Sequence, residues 1–450
     1  MLEKQNKRLA SSAAWVLLAR VMAFVSVFGI TAIAARAFVP ANFGLFALLF
    51  SLLGLTSLVA TFGLNRALVK VFAASDAEAS PNEVLAWSVK MVLAVSAGLA
   101  ILCTIVLGNL TTWPLATMFG LIVCLRALHL LLAESCRGSH EKVWSNLFGG
   151  ISGGPLPHLI VLVLISGLWF LGSLTLGSFL LVYALVASIT LWPLYSKSKS
   201  LAAALSESSF QKAEPSSGQP SMGVMALAIP LMFTQVFGLA LSQADIWLAG
   251  ALVAPAVLGI YAAAQRMLAF LTVPLQISNT AMVSFIPELH SRGETDKLQR
   301  MIGLAATVSS IPALIIGGLF IAFAEPILSL AFGEFYAQSA NLLRILTVGQ
   351  VVCVLTGPSE VVLMMTGHQR ITWRINLVAV IAIVACGTLA LVHGGLIGLA
   401  IVLSSATCIQ NLTTWYLAKK LVGIATHCGA GGFDLGQLLQ LLKNRGKLAS

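Results

Sequence analysis

The chain has 450 residues, of which 58% are hydrophobic and only 9% charged, and it carries a formal net charge of +10. Soluble domains carry about 25% charged residues, so a water-soluble protein is excluded. The positive charge does not point to nucleic acid, because the basic residues sit in short segments between apolar stretches. Those stretches reach the roughly 20 residues needed to cross a bilayer.

Hydropathy predicts twelve spans, beginning near Ser12, Phe43, Val84, Pro114, Leu147 and Leu174, then near Gly223, Val257, Met301, Asn341, Trp373 and Leu396. The expected fold is all-α, a polytopic membrane protein of about twelve transmembrane helices. The first apolar run, Ser12–Ala35, is too long for a signal-peptide core and lacks a cleavage site, so it reads as an uncleaved helix. With the amino terminus in the cytoplasm, 20 of the 26 Lys and Arg fall in cytoplasmic segments. The positive-inside rule then puts both termini on the cytoplasmic side of the inner membrane. Exterior loops are short, the longest being Glu325–Ala340, with Glu325 and Glu334 read as solvated loop ends.

Residues 196–222 change composition to SKSKSLAAALSESSFQKAEPSSGQPSM, which reads as a flexible cytoplasmic linker. It divides the chain into an N-lobe (1–195), the linker (196–222), a C-lobe (223–418) and a basic, partly amphipathic tail (419–450) that reads as a membrane-surface segment. Seven cysteines without a CxxC pair are expected to be buried free thiols that pack as small hydrophobes. No metal and no cofactor is expected.

The two halves repeat. Pro40, Gly44 and Phe46 recur as Pro255, Gly259 and Tyr261 at an offset of 215, and Gly138 and Trp144 recur as Gly367 and Trp373 at an offset of 229. Equivalent positions in two runs of six spans predict two six-helix bundles related by pseudo-two-fold symmetry, with a substrate site between the repeats, as in transporters.

Ionisable groups inside apolar spans cost about 2.5–3.5 kcal/mol each on insertion scales and so mark function. They are Arg20, Arg126 with His129, Glu134, Asp245, Arg266 and Glu360; Lys90 snorkels and Glu134 lies near enough to the surface to do so. Helical steps place Thr234, Gly238, Ser242 and Asp245 on one face. A second polar stripe comprises Gln265, Ala269, Thr272, Gln276 and Asn279. Such stripes line a cavity or bond neighbouring helices. Arg20, Arg126 and Arg266 suit phosphate, because a guanidinium offers a fixed fork of donors and a permanent charge. Asp245 and Glu360 are candidates for ion coupling; Asp245 either neutralises Arg266 or binds a cation. Pro230, Pro274, Pro312 and Pro358 are expected to interrupt spans, and Gly149–Pro157 to loosen the fifth. No P-loop, catalytic triad, metal box or dinucleotide fingerprint is present, so the chain is not read as an enzyme.

The first half resembles polysaccharide and O-antigen flippases in ARAFVPANFGLFALLFSLLGLTSLVATFGLNRALVK. The second half does so in QADIWLAG, VLGIYAAAQRM, FIPELHSRGETDKLQRM, AEPILSLAFGEFYAQSANLLRIL and GPSEVVLMMTGHQR, so the likeness runs from Leu9 to Ile424. That family belongs to the multidrug/oligosaccharidyl-lipid/polysaccharide exporter superfamily. The resemblance implies two bundles around a central cavity, alternating access, and undecaprenyl-pyrophosphate-linked oligosaccharide as the substrate. Related lipid II flippases use cavity arginines on the first and eighth spans, where Arg20 and Arg266 stand here, but a chain of twelve spans lacks that subgroup's two additional helices. The implied partners are the lipid-linked oligosaccharide, membrane lipids and other glycan-assembly membrane proteins. Two rivals stand beside this reading: a multidrug or metabolite cation antiporter on the same fold, and a membrane-embedded glycan polymerase or ligase. The short exterior loops oppose the second rival.

Overall fold

A chain this apolar can enter a bilayer only with its backbone groups bonded within helices or a closed barrel. In the computed structural model, residues 2–73, 80–109, 111–139, 141–149, 154–210 and 220–430 are described, and every regular element among them is helical. The elements are α1 (Leu2–Ala37), α2 (Pro40–Ala60), α3 (Leu64–Ala73), α4 (Pro81–Gly108), α5 (Trp113–Gly138), α6 (Lys142–Phe148), α7 (Pro155–Phe170) and α8 (Leu176–Phe210). They continue with α9 (Pro220–Leu252), α10 (Pro255–Met267), α11 (Ala269–Ser291), α12 (Thr295–Ala322), α13 (Ala324–Phe332), a 3₁₀ turn (Glu334–Ser339), α14 (Ala340–Thr356), α15 (Ser359–Met365) and α16 (Gln369–Val422). Several of these begin on proline in their first turn, at Pro40, Pro81, Pro114 and Pro155. There its missing N–H costs nothing and its fixed φ suits the helix.

Nine of the described helices are long and apolar enough to cross a membrane. A tenth span is the pair α10 and α11, bent by 43° at the break. At Leu268 the hydrogen bonds tighten from i−4 to i−3, with Leu268 N–H on the Gln265 carbonyl and Leu271 N–H on that of Leu268. The shorter apolar helix α7 supplies an eleventh. The twelfth comes from α16, which is two helices joined at Gly395, where φ 59° and ψ −155° are not helical. That backbone region is open only to glycine, and no atom stands near the site of an added Cβ. Gly395→Ala is therefore expected to cost about 1–3 kcal/mol from backbone strain alone. The measurement is the melting temperature of the detergent-purified protein, and an unchanged value would show that the backbone relaxes freely here.

The chain divides into two compact units. The first takes the residues up to Gln243 together with Ala254–Gly259; the second takes Ala244–Val253 and the chain from Ile260 onward. The division thus falls inside α9. Within the first unit the core around α3, α4 and α5 includes Leu64, Ala67, Leu68 and Phe72, spaced along one face of α3. In the second, a core of Ile286, Leu298, Ile302, Val362 and Leu363 draws α11, α12 and α15 together.

Several segments fold where a loop or linker is expected. Residues 196–210 continue α8 as helix, and 211–219 lie outside the described residues. The reason is packing: Ala202 is buried in the first unit's core, with Leu201 and Leu205 against it. Ser206 Oγ also accepts the Asn82 N–H (3.1 Å) at the start of α4, satisfying an amide that the helix cannot. The expected exterior loop Glu325–Ala340 holds α13 and the 3₁₀ turn, buried through Leu328, Phe332 and Tyr336. Its two acids, Glu325 and Glu334, are exposed as expected.

The beginning of the tail is not a surface segment. After Gly423, residues 424–430 lie against the second unit, where Ile424 is 1% exposed and Thr426 fully buried; residues 431–450 lie outside the described residues. The prolines at 230, 274 and 312 sit within continuous helices, whereas Pro358 is the N-cap of α15. Of the seven free cysteines only Cys136 is fully buried, and Cys386 is exposed. A face turned to lipid tolerates a thiol as readily as a core does, which is why apolar context alone misplaces them.

Candidate functional site: buried polar groups in each unit

Asp245 lies near the end of α9 and is 2% exposed. Its Oδ2 accepts two hydrogen bonds from α10, from Tyr261 Oη (2.7 Å) and Gln265 Nε2 (2.9 Å). Tyr261 and Gln265 stand four residues apart, so one helix face presents both donors to the carboxylate. Arg266 is the next residue and points about 100° away, half-buried. Among the described residues, no ion pair joins Asp245 to Arg266 or to any other cation. Its charge is met by two neutral donors. Gln265 Oε1 is buried without a hydrogen-bond partner, so an additional acceptor stands beside the carboxylate.

The repeat explains where this trio comes from. α1 and α9 end at Ala37 and Leu252, and α2 and α10 begin at Pro40 and Pro255, all at the offset of 215. At the same offset Asp245, Tyr261 and Gln265 stand where the first repeat has Ile30, Phe46 and Phe50. One position is apolar in the first copy and a hydrogen-bonded carboxylate in the second.

The expected face Thr234, Gly238, Ser242 and Asp245 does not act as one. The first three are exposed and Asp245 is buried. The helix is regular, but its neighbours change where it passes from the first unit to the second after Gln243. The other stripe is likewise divided by the 43° bend: Gln265 joins Asp245, whereas Gln276 is exposed and donates to Thr272 Oγ1 (3.4 Å). Asn279 Oδ1 is buried without a partner.

Glu360 is half-buried and belongs to a different chain of bonds in the second unit. Gln410 Nε2 donates to Asn376 Oδ1 (3.0 Å), and Asn376 Nδ2 donates to Glu360 Oε1 (2.9 Å). Sequence reading missed Asn376 and Gln410, which lie far along α16. Only the turn at Gly395 brings them within reach of one another.

In the first unit the three arginine expectations separate. Arg126 is 5% exposed, whereas Arg20 is exposed to the surroundings. Arg266 lies in the second unit. Arg126 has buried His129 and His158 for company, at 2% and 1% exposed. His129 is held at both ring nitrogens, Nδ1 near the Leu125 carbonyl (2.9 Å) and Nε2 near Thr190 Oγ1 (3.0 Å). His158, which sequence reading passed over, has Nδ1 2.9 Å from the Gly154 carbonyl and a buried Nε2 without a partner. Glu134 is 2% exposed and does not snorkel. Arg137 Nη1 donates to both its oxygens (2.8 and 3.0 Å), and Arg66 Nη1 lies 3.7 Å away. This acid is satisfied locally and needs no ligand. Among the described residues no cluster of His, Cys, Asp and Glu has the geometry of a metal site.

The MatE family matches residues 230–388, a stretch that holds Asp245, Tyr261, Gln265, Arg266 and Glu360. No curated protein matches the chain in sequence. Among solved structures, the chain is similar to an inward-facing multidrug resistance MATE family transporter of the MOP superfamily. Identity is 14% over 91% of this chain and 98% of that one, with a TM-score of 0.65. It is also similar to the Vibrio cholerae MATE transporter VcmN in the bent form, at 15% identity, 91% and 97% coverage and a TM-score of 0.57. A third is a MOP superfamily transporter from Pyrococcus furiosus, described by the reverse polarity of its binding pocket, at 14% identity, 92% and 95% coverage and a TM-score of 0.56. Over nine-tenths of its length, this polytopic all-α chain has the fold of the MATE transporters.

Proposed function

We propose that the chain is a cation-coupled membrane exporter of organic cations that works by alternating access. The observation that carries this reading is Asp245, a buried carboxylate held by two neutral donors beside an unpartnered amide oxygen. Such a group takes a proton or a small cation without first breaking an ion pair, which is what coupling requires. The likeness to multidrug transporters supports it. In this reading Asp245 binds the coupling cation, Glu360 provides a second acidic position, and both termini face the cytoplasm.

A second reading is kept on one specific observation. The first unit buries Arg126, with His129 and His158 near it, and the similar Pyrococcus protein is described by a reversed pocket polarity. A buried guanidinium suits an anionic headgroup, as in the lipid-linked oligosaccharide flippase that the sequence resembles, with Arg126 as the anion contact within this unit. Deletion of the gene separates the two. We expect hypersensitivity to cationic dyes and biocides with unchanged surface glycan. Loss of surface glycan with unchanged dye tolerance would replace the first reading with the second.

A further inference from the structure

Three half-buried polar side chains of the second unit, Glu360, Asn376 and Gln410, form a chain with a single direction. A carboxylate only accepts, so Glu360 Oε1 takes an N–H of Asn376 Nδ2 (2.9 Å). The oxygen of that amide then faces Gln410, which must present its own nitrogen, Nε2 (3.0 Å). Each donated hydrogen thus runs toward the carboxylate, and Glu360 fixes the orientation of both amides. The backbone beneath is pinned as well. Ser359 Oγ and Thr414 Oγ1 lie 3.0 Å apart, both buried, and join the first turn of α15 to the part of α16 beyond Gly395. Thr414 stands four residues after Gln410, so one helix face carries both links.

Glu360 differs from the other two acids read inside the spans. Glu134 has both oxygens occupied by Arg137, and Asp245 is 2% exposed. Glu360 is half-buried, and among the described residues no ion pair and no second hydrogen bond reaches it. Its Oε2 and Gln410 Oε1 therefore stand uncommitted, with one amide between them. A charged group turned to lipid would be costly, so the open side of this chain faces water. The charge of Glu360 calls for a cation there, and two neighbouring acceptors call for one that carries hydrogens on nitrogen. A primary ammonium has three such donors in a compact head. It gives up its water at little cost only where acceptors replace that water. A quaternary ammonium has the same charge and no donor, so it gains attraction without a charge-assisted hydrogen bond.

We infer that Glu360 and Gln410 bind the N–H-bearing head of an organic cation, with Asn376 as the positioning residue that holds the two acceptors in place. The inference rests on the cation-exporter reading and adds to it a preference for ammonium groups that carry hydrogen. Phenethylammonium and its N,N,N-trimethyl analogue test it, because they share ring, linker and charge and differ in their donors. Binding of each to the full-length detergent-purified protein is measured by calorimetry. We expect wild type to bind the primary ammonium about tenfold more tightly, as hydrogen bonds to a charged group allow. Asn376→Leu and Gln410→Leu should each bring that ratio below about threefold. A general loss of stability would weaken both ligands alike and leave the ratio where it was. A melting temperature near that of wild type shows that a variant is folded, and if Asn376→Leu fails this check Gln410→Leu decides. Equal affinity of wild type for the two ligands, or a ratio that survives the substitutions, overturns the inference and leaves cation export standing. A wild-type protein that binds neither ligand removes the cation-exporter reading and the inference together.

Discussion

Asp245→Asn is expected to lower gradient-driven export of a cationic dye by at least about tenfold, within the 1–3 kcal/mol typical of coupling between two bound species. The substitution keeps the shape of the side chain. An asparagine oxygen in the place of Oδ2 still accepts from both Tyr261 Oη and Gln265 Nε2, so folding and abundance should stay near wild type. Only the charge is lost. Tyr261→Phe tests the same site more gently, because it removes one donor to a carboxylate, an interaction worth about 1.5–3 kcal/mol, and leaves the group able to bind a cation. The assay is dye efflux from proteoliposomes under an imposed proton or sodium gradient, read beside passive dye binding. Full coupled efflux by Asp245→Asn would end the role assigned to this carboxylate, whatever the substrate.

Gly357→Ala should be the most damaging single methyl in the second unit. Gly357 closes α14 with φ 69° and ψ −157°, a region that costs other residues about 1–3 kcal/mol. The new Cβ would also overlap the Thr426 carbonyl oxygen and stand 2.8 Å from the Ala306 Cβ. The segment it meets cannot step aside. Thr426 Oγ1 donates to the Thr356 carbonyl (2.7 Å), Cys428 N–H to that of Leu355 (2.9 Å), and Gly429 N–H to Thr307 Oγ1 (3.0 Å). Gln299 grips it too, accepting from the Ala425 N–H (2.7 Å) and donating to the Ala425 and Ala430 carbonyls. Strain and overlap add, and the expected loss exceeds about 3 kcal/mol. It is measured as a fall in melting temperature clearly greater than that of Gly395→Ala, which carries the backbone strain without the overlap. Equal shifts in the two variants would show that the carboxy-terminal segment is not held as firmly as its bonds indicate.

Amino-acid sequence alone determined that the chain spans a membrane, how many helices it uses, and where the repeated hairpins begin. Those properties follow from local quantities. Twenty apolar residues cross a bilayer wherever they occur, and proline at a helix start acts within one turn. Hence Pro40 and Pro255 open helices at the offset read from the residues, and the twelfth span begins at Gly395, beside the expected Leu396. The same locality explains the failures. Helical periodicity says which residues share a face, not what covers it. Asp245 shares a face with Thr234 and Ser242, yet α9 changes neighbours at Ala244, so one residue is buried and the others are exposed. Arg266 stands one helix away from Asp245, but a single step of about 100° gives the contact to Gln265 instead. The polar residues of 196–210 read as linker until Ala202 and Ser206 find α4. Glu360 meets Asn376 and Gln410 only because α16 folds at one glycine. Pairings between distant segments are decided by packing, and packing is a property of the tertiary structure.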